Sequence, residues 1–167
     1  MAQTWKKGRG KLGPLAPILG SWKAETDSPM GPLTCLRTYA PFGEKYVRLD
    51  AQWTFGGARN STKLSDAQKA AMQAYAGKGY KEVAFFGPND DGVLAFWSFT
   101  SDGKKSEGVL ADGSDIRPDA LCFEAQMPAG LARQVFWPDE PSGMCWAVES
   151  KNKKGWSRFS LHHYRPA

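Results

Sequence analysis

The sequence contains few of the residues that cross-link or catalyse in small domains. Its three cysteines, Cys35, Cys122 and Cys145, are an odd number at wide spacing, which excludes a disulfide framework and a zinc ribbon. No apolar run approaches the roughly 20 residues of a membrane-spanning helix, and the first twenty residues lack the apolar core of a secretory signal. We therefore expect a cytoplasmic protein with no membrane partner and with its thiols packed in the interior.

Histidine is also scarce, and the recognisable catalytic motifs are missing. The two histidines, His162 and His163, are adjacent, so in a strand they point to opposite faces. The sequence holds no G-x-S-x-G elbow, no phosphate-binding glycine loop and no H-E-x-x-H motif. These absences favour a binding protein over an enzyme, and no catalytic residue and no metal ligand are predicted.

Charge is modest and is concentrated near the start of the sequence. The formal net charge is +5. Four basic residues precede the body of the chain: Lys6, Lys7, Arg9 and Lys11. The sequence contains no basic helix and no recognisable nucleic-acid-binding motif. The pattern predicts a flexible basic tail over residues 1–14, a domain over residues 15–167 and no specific nucleic-acid partner.

Aromatic and turn-forming residues, by contrast, are abundant. The chain has seven Trp, five Tyr, nine Phe, 18 Gly and 11 Pro, and short apolar runs alternate with turn signals. Strands are predicted at about 20–26, 33–40, 44–55, 80–87, 92–100, 104–111, 120–127, 130–137, 143–150 and 154–165. This spacing is typical of an all-β fold, a single antiparallel meander β-barrel of about ten strands.

One segment interrupts the succession of strands. Ser65-Asp66-Ala67-Gln68 has the form of a helix N-cap with a capping box, and Gly77 is placed to end the helix. We therefore predict one inserted helix around 65–77, between the third and fourth strands. Its apolar side covers one end or edge of the barrel or, alternatively, gates a ligand mouth.

Aromatic residues recur along the predicted strands, which favours a ring-lined interior. Small barrels either fill with side chains or hold one small ligand, and aromatic rings suit an apolar cavity. In the last strand, Phe159, Leu161 and His163 share one face, which we predict to be the apolar one. The predicted ligand-binding residues are Trp53, Trp97, Phe99, Phe123, Trp146, His163 and Arg48.

Three arginines, Arg37, Arg48 and Arg133, lie inside predicted strands rather than turns. An arginine that faces inward would be a desolvated cation that needs a partner, and an anionic ligand head group is one such partner. Alternatively, all three lie on the outer face with their stems across apolar neighbours. The sequence leaves both arrangements open, because a one-residue slip of register inverts every facing.

Gly20-Ser21-Trp22 opens the first predicted strand and resembles the G-x-W signature of the lipocalin and calycin barrels. Residues 15–166 thus resemble the lipocalin-like domains of uncharacterised bacterial proteins, with a distant likeness in shape to fatty-acid-binding proteins and nitrobindin. The resemblance implies that Gly20 and Trp22 close the barrel base and that Arg165, or else Arg158, stacks over the Trp22 ring. The single helix after the third strand departs from fatty-acid-binding proteins, whose two helices follow the first strand.

These observations leave three functional hypotheses. The first is binding of a small, mostly apolar molecule inside the barrel, as the resemblance implies. The second, suggested by nitrobindin, is a haem-binding barrel that uses His163 as the iron ligand; otherwise no cofactor is expected. The third is a protein-interaction module with a filled barrel. The protein is expected to be a monomer or a homodimer.

Overall fold

The chain closes into a ten-stranded barrel in which every strand pairs with its neighbours in sequence. This computed structural model describes residues 5–28, 31–55 and 79–167. All ten strands are antiparallel to their neighbours, and the first strand pairs with the last. The strands are β1 (Gly20–Ser28), β2 (Gly31–Phe42), β3 (Tyr46–Phe55), β4 (Tyr80–Pro88), β5 (Leu94–Thr100), β6 (Lys105–Ala111), β7 (Leu121–Met127), β8 (Gly130–Asp139), β9 (Gly143–Asn152) and β10 (Gly155–Pro166).

This architecture confirms the predicted all-β antiparallel meander of ten strands. The helix predicted around 65–77 lies outside the described residues. Within the described part of the chain, no helix is both long and apolar enough to span a bilayer.

Alternation of buried and exposed side chains fixes the inner face of the wall. In β3, Val47, Leu49, Ala51 and Trp53 are buried, and the intervening side chains point outward. A tight turn precedes this strand, and it needs Gly43, whose φ of +63° lies in the left-handed region. The period of two therefore places Trp53 inside, as predicted.

A short 3₁₀ helix (Gly13–Ile18) closes one end of the barrel. Its Leu15 and Ile18 side chains are fully buried. The Trp22 indole Nε1 donates a hydrogen bond to the Ile18 carbonyl at 2.8 Å, so the first strand is tied to this plug. Trp22 thereby lies beside the plug at the closed end of the barrel.

The residues before the plug contact the barrel at two further points. Trp5 Nε1 donates to the Asp119 carbonyl at 2.9 Å, and Lys11 Nζ donates to the Gly92 carbonyl at 2.8 Å. In the structure, this part of the predicted basic tail therefore packs against the loops of the closed end.

The interior has two unlike halves. Next to the plug, five rings form a fully or almost fully buried layer, which we call the filled half: Tyr39, Phe86, Phe96, Phe123 and Phe136. Neighbouring ring centroids in this layer are 5.3 to 6.0 Å apart, the range of favourable aromatic pairs. Gly108 permits this packing, because a β carbon there would come within 2.6 Å of the Phe96 ring.

The last strand corrects one prediction. A register shift between Arg158 and Ser160 interrupts β10, and beyond it His162 and Tyr164 are buried whereas His163 is exposed. The prediction that His163 faces the interior is therefore wrong. Adjacent residues alternate between faces, so the inward histidine is His162.

Candidate functional site

A cavity of about 680 Å³ occupies the interior beyond the filled half, and we call this region the open half. Its lining comes from the ends of the strands farthest from the plug and is mostly apolar. Phe96 and Phe123 of the filled half border the cavity, and its other apolar lining residues include Leu33, Trp53, Phe55, Tyr80, Ala125, Met127, Trp146, Val148 and Phe159. This volume lies within the ~300–1,000 Å³ typical of small-molecule sites.

Three of the predicted ligand-binding residues line this cavity. Trp53, Phe123 and Trp146 are buried and belong to strands β3, β7 and β9. The structure thus brings them together from separate strands, and their role in binding a ligand remains a prediction.

The other four predicted binding residues face outward. Trp97 and Phe99 lie on the face of β5 opposite to Phe96, which lines the cavity. Arg48 pairs with Asp50 on the outer surface at 2.9 Å, and the His163 side chain is 59% exposed. The prediction that these four side chains lie inside the barrel was wrong. Successive side chains of a strand point to opposite faces, and these four occupy the positions that point outward.

Arg37 is the inward arginine, and it is completely buried. Its Nε donates to the Tyr39 hydroxyl at 3.1 Å. Its guanidinium lies 4.4 Å from the Trp146 ring centroid and 5.6 Å from that of Trp53. Arg37 Nη1 has no hydrogen-bond partner among the described residues, and the surrounding rings stabilise this cation by cation–π attraction.

Glu82 neutralises this buried cation. One carboxylate oxygen accepts from Arg37 Nη2 at 3.3 Å, and the other accepts from the Ser98 hydroxyl at 2.7 Å. Glu82 also lines the cavity. The charge of Arg37 is thus balanced by the protein itself, and the carboxylate rather than the guanidinium is presented to the open half.

His162 begins a second chain of polar contacts on the cavity wall. Its Nδ1 lies 3.3 Å from the Tyr164 hydroxyl, which in turn donates to Cys35 Sγ at 3.1 Å. Burial, and secondarily the nearby positive charge of Arg37, lowers the pKa of His162 to about 4. The imidazole is therefore neutral at physiological pH.

Gln134 is fixed by a neighbouring indole. Trp146 Nε1 donates to the Gln134 side-chain carbonyl at 3.2 Å. An indole N–H is only a donor, so this contact determines which end of the Gln134 amide faces Trp146. The Gln134 amide nitrogen, with its two N–H donors, therefore points away from the indole, and Gln134 lines the cavity.

Arg165 was predicted to stack over the Trp22 ring, but in the structure it forms an ion pair with Asp139. Arg165 Nη1 pairs with Asp139 at 2.8 Å and its side chain is half-exposed. The alternative residue, Arg158, lies 5.1 Å from the Trp137 ring instead. In the described part of the chain, no arginine lies over Trp22; the plug closes the base there.

One group of side chains with metal-ligating atoms occurs in the described residues, and it lies outside the barrel. Single atoms of Asp139, Cys145 and His163 lie within 4.8 Å of one another. The Asp139 carboxylate is already shared by His163 Nδ1 at 3.0 Å and Arg165 at 2.8 Å. Burial raises the pKa of Cys145 to about 11, so its thiol is protonated at neutral pH.

No protein-family model matches the chain, and no curated protein matches it. The resemblance to lipocalin-like domains therefore stays a prediction that rests on the G-x-W pattern.

Proposed function

We propose that the barrel holds one small, mostly apolar molecule in the open half. The observation that carries this proposal is the contrast in packing within one interior. Protein cores are normally packed with few voids larger than a water molecule, and the filled half follows this rule. An apolar-lined space of about 680 Å³ beside it is unusual for a core and is typical of a ligand site.

A neutral fluorescent probe tests this proposal. N-phenyl-1-naphthylamine is apolar and fluoresces strongly when it leaves water, so we expect saturable enhancement on titration with the protein. Ala125→Trp adds an indole to the cavity lining and should lower probe affinity at least tenfold. Leu110→Trp adds the same indole at an exposed position and serves as the matched control.

Absence of saturable binding by the folded wild-type protein would refute the proposal. Equal binding by the two tryptophan variants would place the probe elsewhere on the molecule. A concentration-dependent dimer that binds no probe, measured by native mass spectrometry, would instead favour an interaction module.

A second candidate function is haem binding, with His162 in place of His163. The observation that favours it is a neutral imidazole on a cavity wall rich in aromatic rings, since neutral imidazole is a common haem ligand. Haem bound there would supply iron chemistry, and His162 would hold it. Haemin should then give a sharp Soret band that His162→Ala removes and His163→Ala retains. A band that survives His162→Ala would refute this candidate.

A further inference from the structure

We infer that the ligand of the open half carries a neutral hydrogen-bond donor, such as a hydroxyl group, at the end that reaches His162. This inference rests on the proposed function and adds the chemistry of the ligand's polar end. It follows from the direction of the hydrogen bonds behind the cavity wall.

The Tyr164 hydroxyl determines which nitrogen of His162 carries the proton. A phenol has one proton to donate, and Tyr164 donates it to Cys35 Sγ at 3.1 Å. Towards His162 Nδ1, at 3.3 Å, the same oxygen can therefore only accept. With the phenolic hydrogen on the Cys35 side, Nδ1 carries the imidazole hydrogen, and in a neutral imidazole Nε2 is then left with a lone pair.

That lone pair is available to a ligand. His162 lines the cavity, its Nδ1 is turned towards Tyr164, and Nε2 lies across the ring from it. Nε2 has no hydrogen-bond partner among the described residues. A ligand that fills the cavity removes water from Nε2, and an acceptor that loses water without gaining a donor is destabilised, so a ligand that donates a hydrogen bond there is favoured over one that cannot.

Gln134 supplies the complementary group. Its carbonyl oxygen is committed to Trp146 Nε1, so its amide N–H groups are the donors that remain for a ligand. His162 lies opposite Trp146 in the register of β9 and β10, and Gln134 lies opposite Val148, two residues further along β9. The two groups thus lie on either side of β9, and the wall offers a ligand one acceptor, at His162, and one set of donors, at Gln134.

The cavity lining also includes Lys151 and Arg133, of which Arg133 is paired with Asp115 and Glu149, but an anionic end is disfavoured beside the Arg37–Glu82 pair. Arg37 is fully buried and already paired with Glu82, so no unpaired positive charge is presented to the ligand by this pair. A carboxylate in the cavity would instead meet the Glu82 carboxylate, which lines it, and like charges repel strongly in a medium of low dielectric constant.

Three probes with the same ring system test the inference by isothermal titration calorimetry. They are 1-naphthol, which donates a hydrogen bond, 1-methoxynaphthalene, which only accepts one, and 1-naphthoate, which is an anion. We expect 1-naphthol to bind on the order of ten- to a hundredfold more tightly than the other two. His162→Leu should abolish the preference for naphthol over its methyl ether, and His163→Leu on the outer face should retain it.

The outcomes separate this inference from the proposed function. Equal affinities for 1-naphthol and its methyl ether would overturn the donor inference and leave the apolar site intact. Preference for 1-naphthoate would overturn it in favour of an anionic ligand. Failure of the wild-type protein to bind any of the three, together with N-phenyl-1-naphthylamine, would refute the cavity function itself. Because the wild-type comparison needs no variant, it stands even where His162→Leu fails to fold.

Discussion

The two halves of the barrel interior are built from the same class of side chain and have different packing. In the filled half, rings such as Phe86 and Phe136 are fully buried and touch other rings. In the open half, Trp53 and Trp146 line the wall and leave about 680 Å³ between them and their neighbours. Arg37 lies at the boundary, in contact with Tyr39 on one side and with both tryptophans on the other.

The comparison teaches that aromatic content alone does not decide whether a barrel is filled. The filled half has a plug: Leu15 and Ile18 enter from the 3₁₀ helix and close the space behind the rings. In the open half, the polar groups Glu82, Gln134 and His162 occupy inward positions. Each is held in the wall by at least one hydrogen bond, and the apolar side chains around them leave the centre to a mostly apolar molecule.

The largest expected effect is on the packing of the filled half. Phe86→Ala removes a ring that contacts three others and should lower the free energy of unfolding by about 3–5 kcal/mol. Phe159→Ala at the cavity rim, where the residue is 67% exposed, should change it by less than about 0.5 kcal/mol. Urea unfolding of both variants measures the difference, and similar losses would contradict the division into halves.

The second-largest expected effect is on the free energy of unfolding when the Arg37–Glu82 ion pair, at the boundary between the halves, is broken. Arg37→Leu leaves the Glu82 carboxylate without its cation and should cost about 3 kcal/mol. The double variant Arg37→Leu/Glu82→Leu removes both charges and should recover most of that loss. Thermal and urea unfolding test this pair. If the double variant is less stable than Arg37→Leu, the ion pair does not dominate the energetics at this boundary.

Replacing an alanine by phenylalanine in each half compares how much added volume the two halves accept. Ala84→Phe adds a ring where Ala84 is almost fully buried and does not line the cavity, and overpacking there should cost about 1–3 kcal/mol. Ala125→Phe adds the same ring beside the cavity and should leave stability unchanged or increase it, while N-phenyl-1-naphthylamine binding weakens. Equal destabilisation by both changes would mean that the open half cannot accept added volume.

The smallest expected effect lies outside both halves, in an ion pair on the outer wall. Asp115 accepts two hydrogen bonds from Arg133 at 2.7 and 2.8 Å, and these bonds lower the pKa of Asp115 below its usual value. The stabilisation is therefore present above the unfolded-state pKa of about 3.9 and is lost as the pH falls through the lower folded-state pKa.

Asp115→Asn should accordingly cost less than about 1 kcal/mol at neutral pH, because Asp115 is more than half-exposed. The difference from wild type should shrink below pH 4. A constant difference from pH 3 to pH 7 in urea unfolding would show that the charge of Asp115 is not its source.

The alternation of polar and apolar residues predicted the fold and part of the site. Strand β3 alternates cleanly, and this placed Trp53 inside. In β5, apolar residues occur on both faces, so alternation could not decide between Trp97 and Phe99, which were predicted to face inward, and Phe96, which lines the cavity. For β10, the pattern could not reveal the register shift near Arg158, and His163 was chosen over His162.

Partners that are distant in sequence explain what the sequence could not predict. Arg37 was recognised as an arginine inside a strand, but its partner Glu82 lies two strands away in the barrel wall, and both must face inward to meet. The His162 chain likewise ends on Cys35, which belongs to β2. Such contacts depend on strand order and register together, and no local pattern encodes them.

The shortest junction in the barrel wall has a consequence for the order in which the protein folds. Strands β1 and β10 are joined by two residue pairs, Trp22 with Pro166 and Lys23 with Arg165, whereas the other junctions link strands that follow each other in sequence. Joining the two ends of a long chain costs more entropy than forming a hairpin, and distant contacts slow folding. We therefore expect the hairpins to assemble into a curled sheet first and the β1–β10 seam to close last.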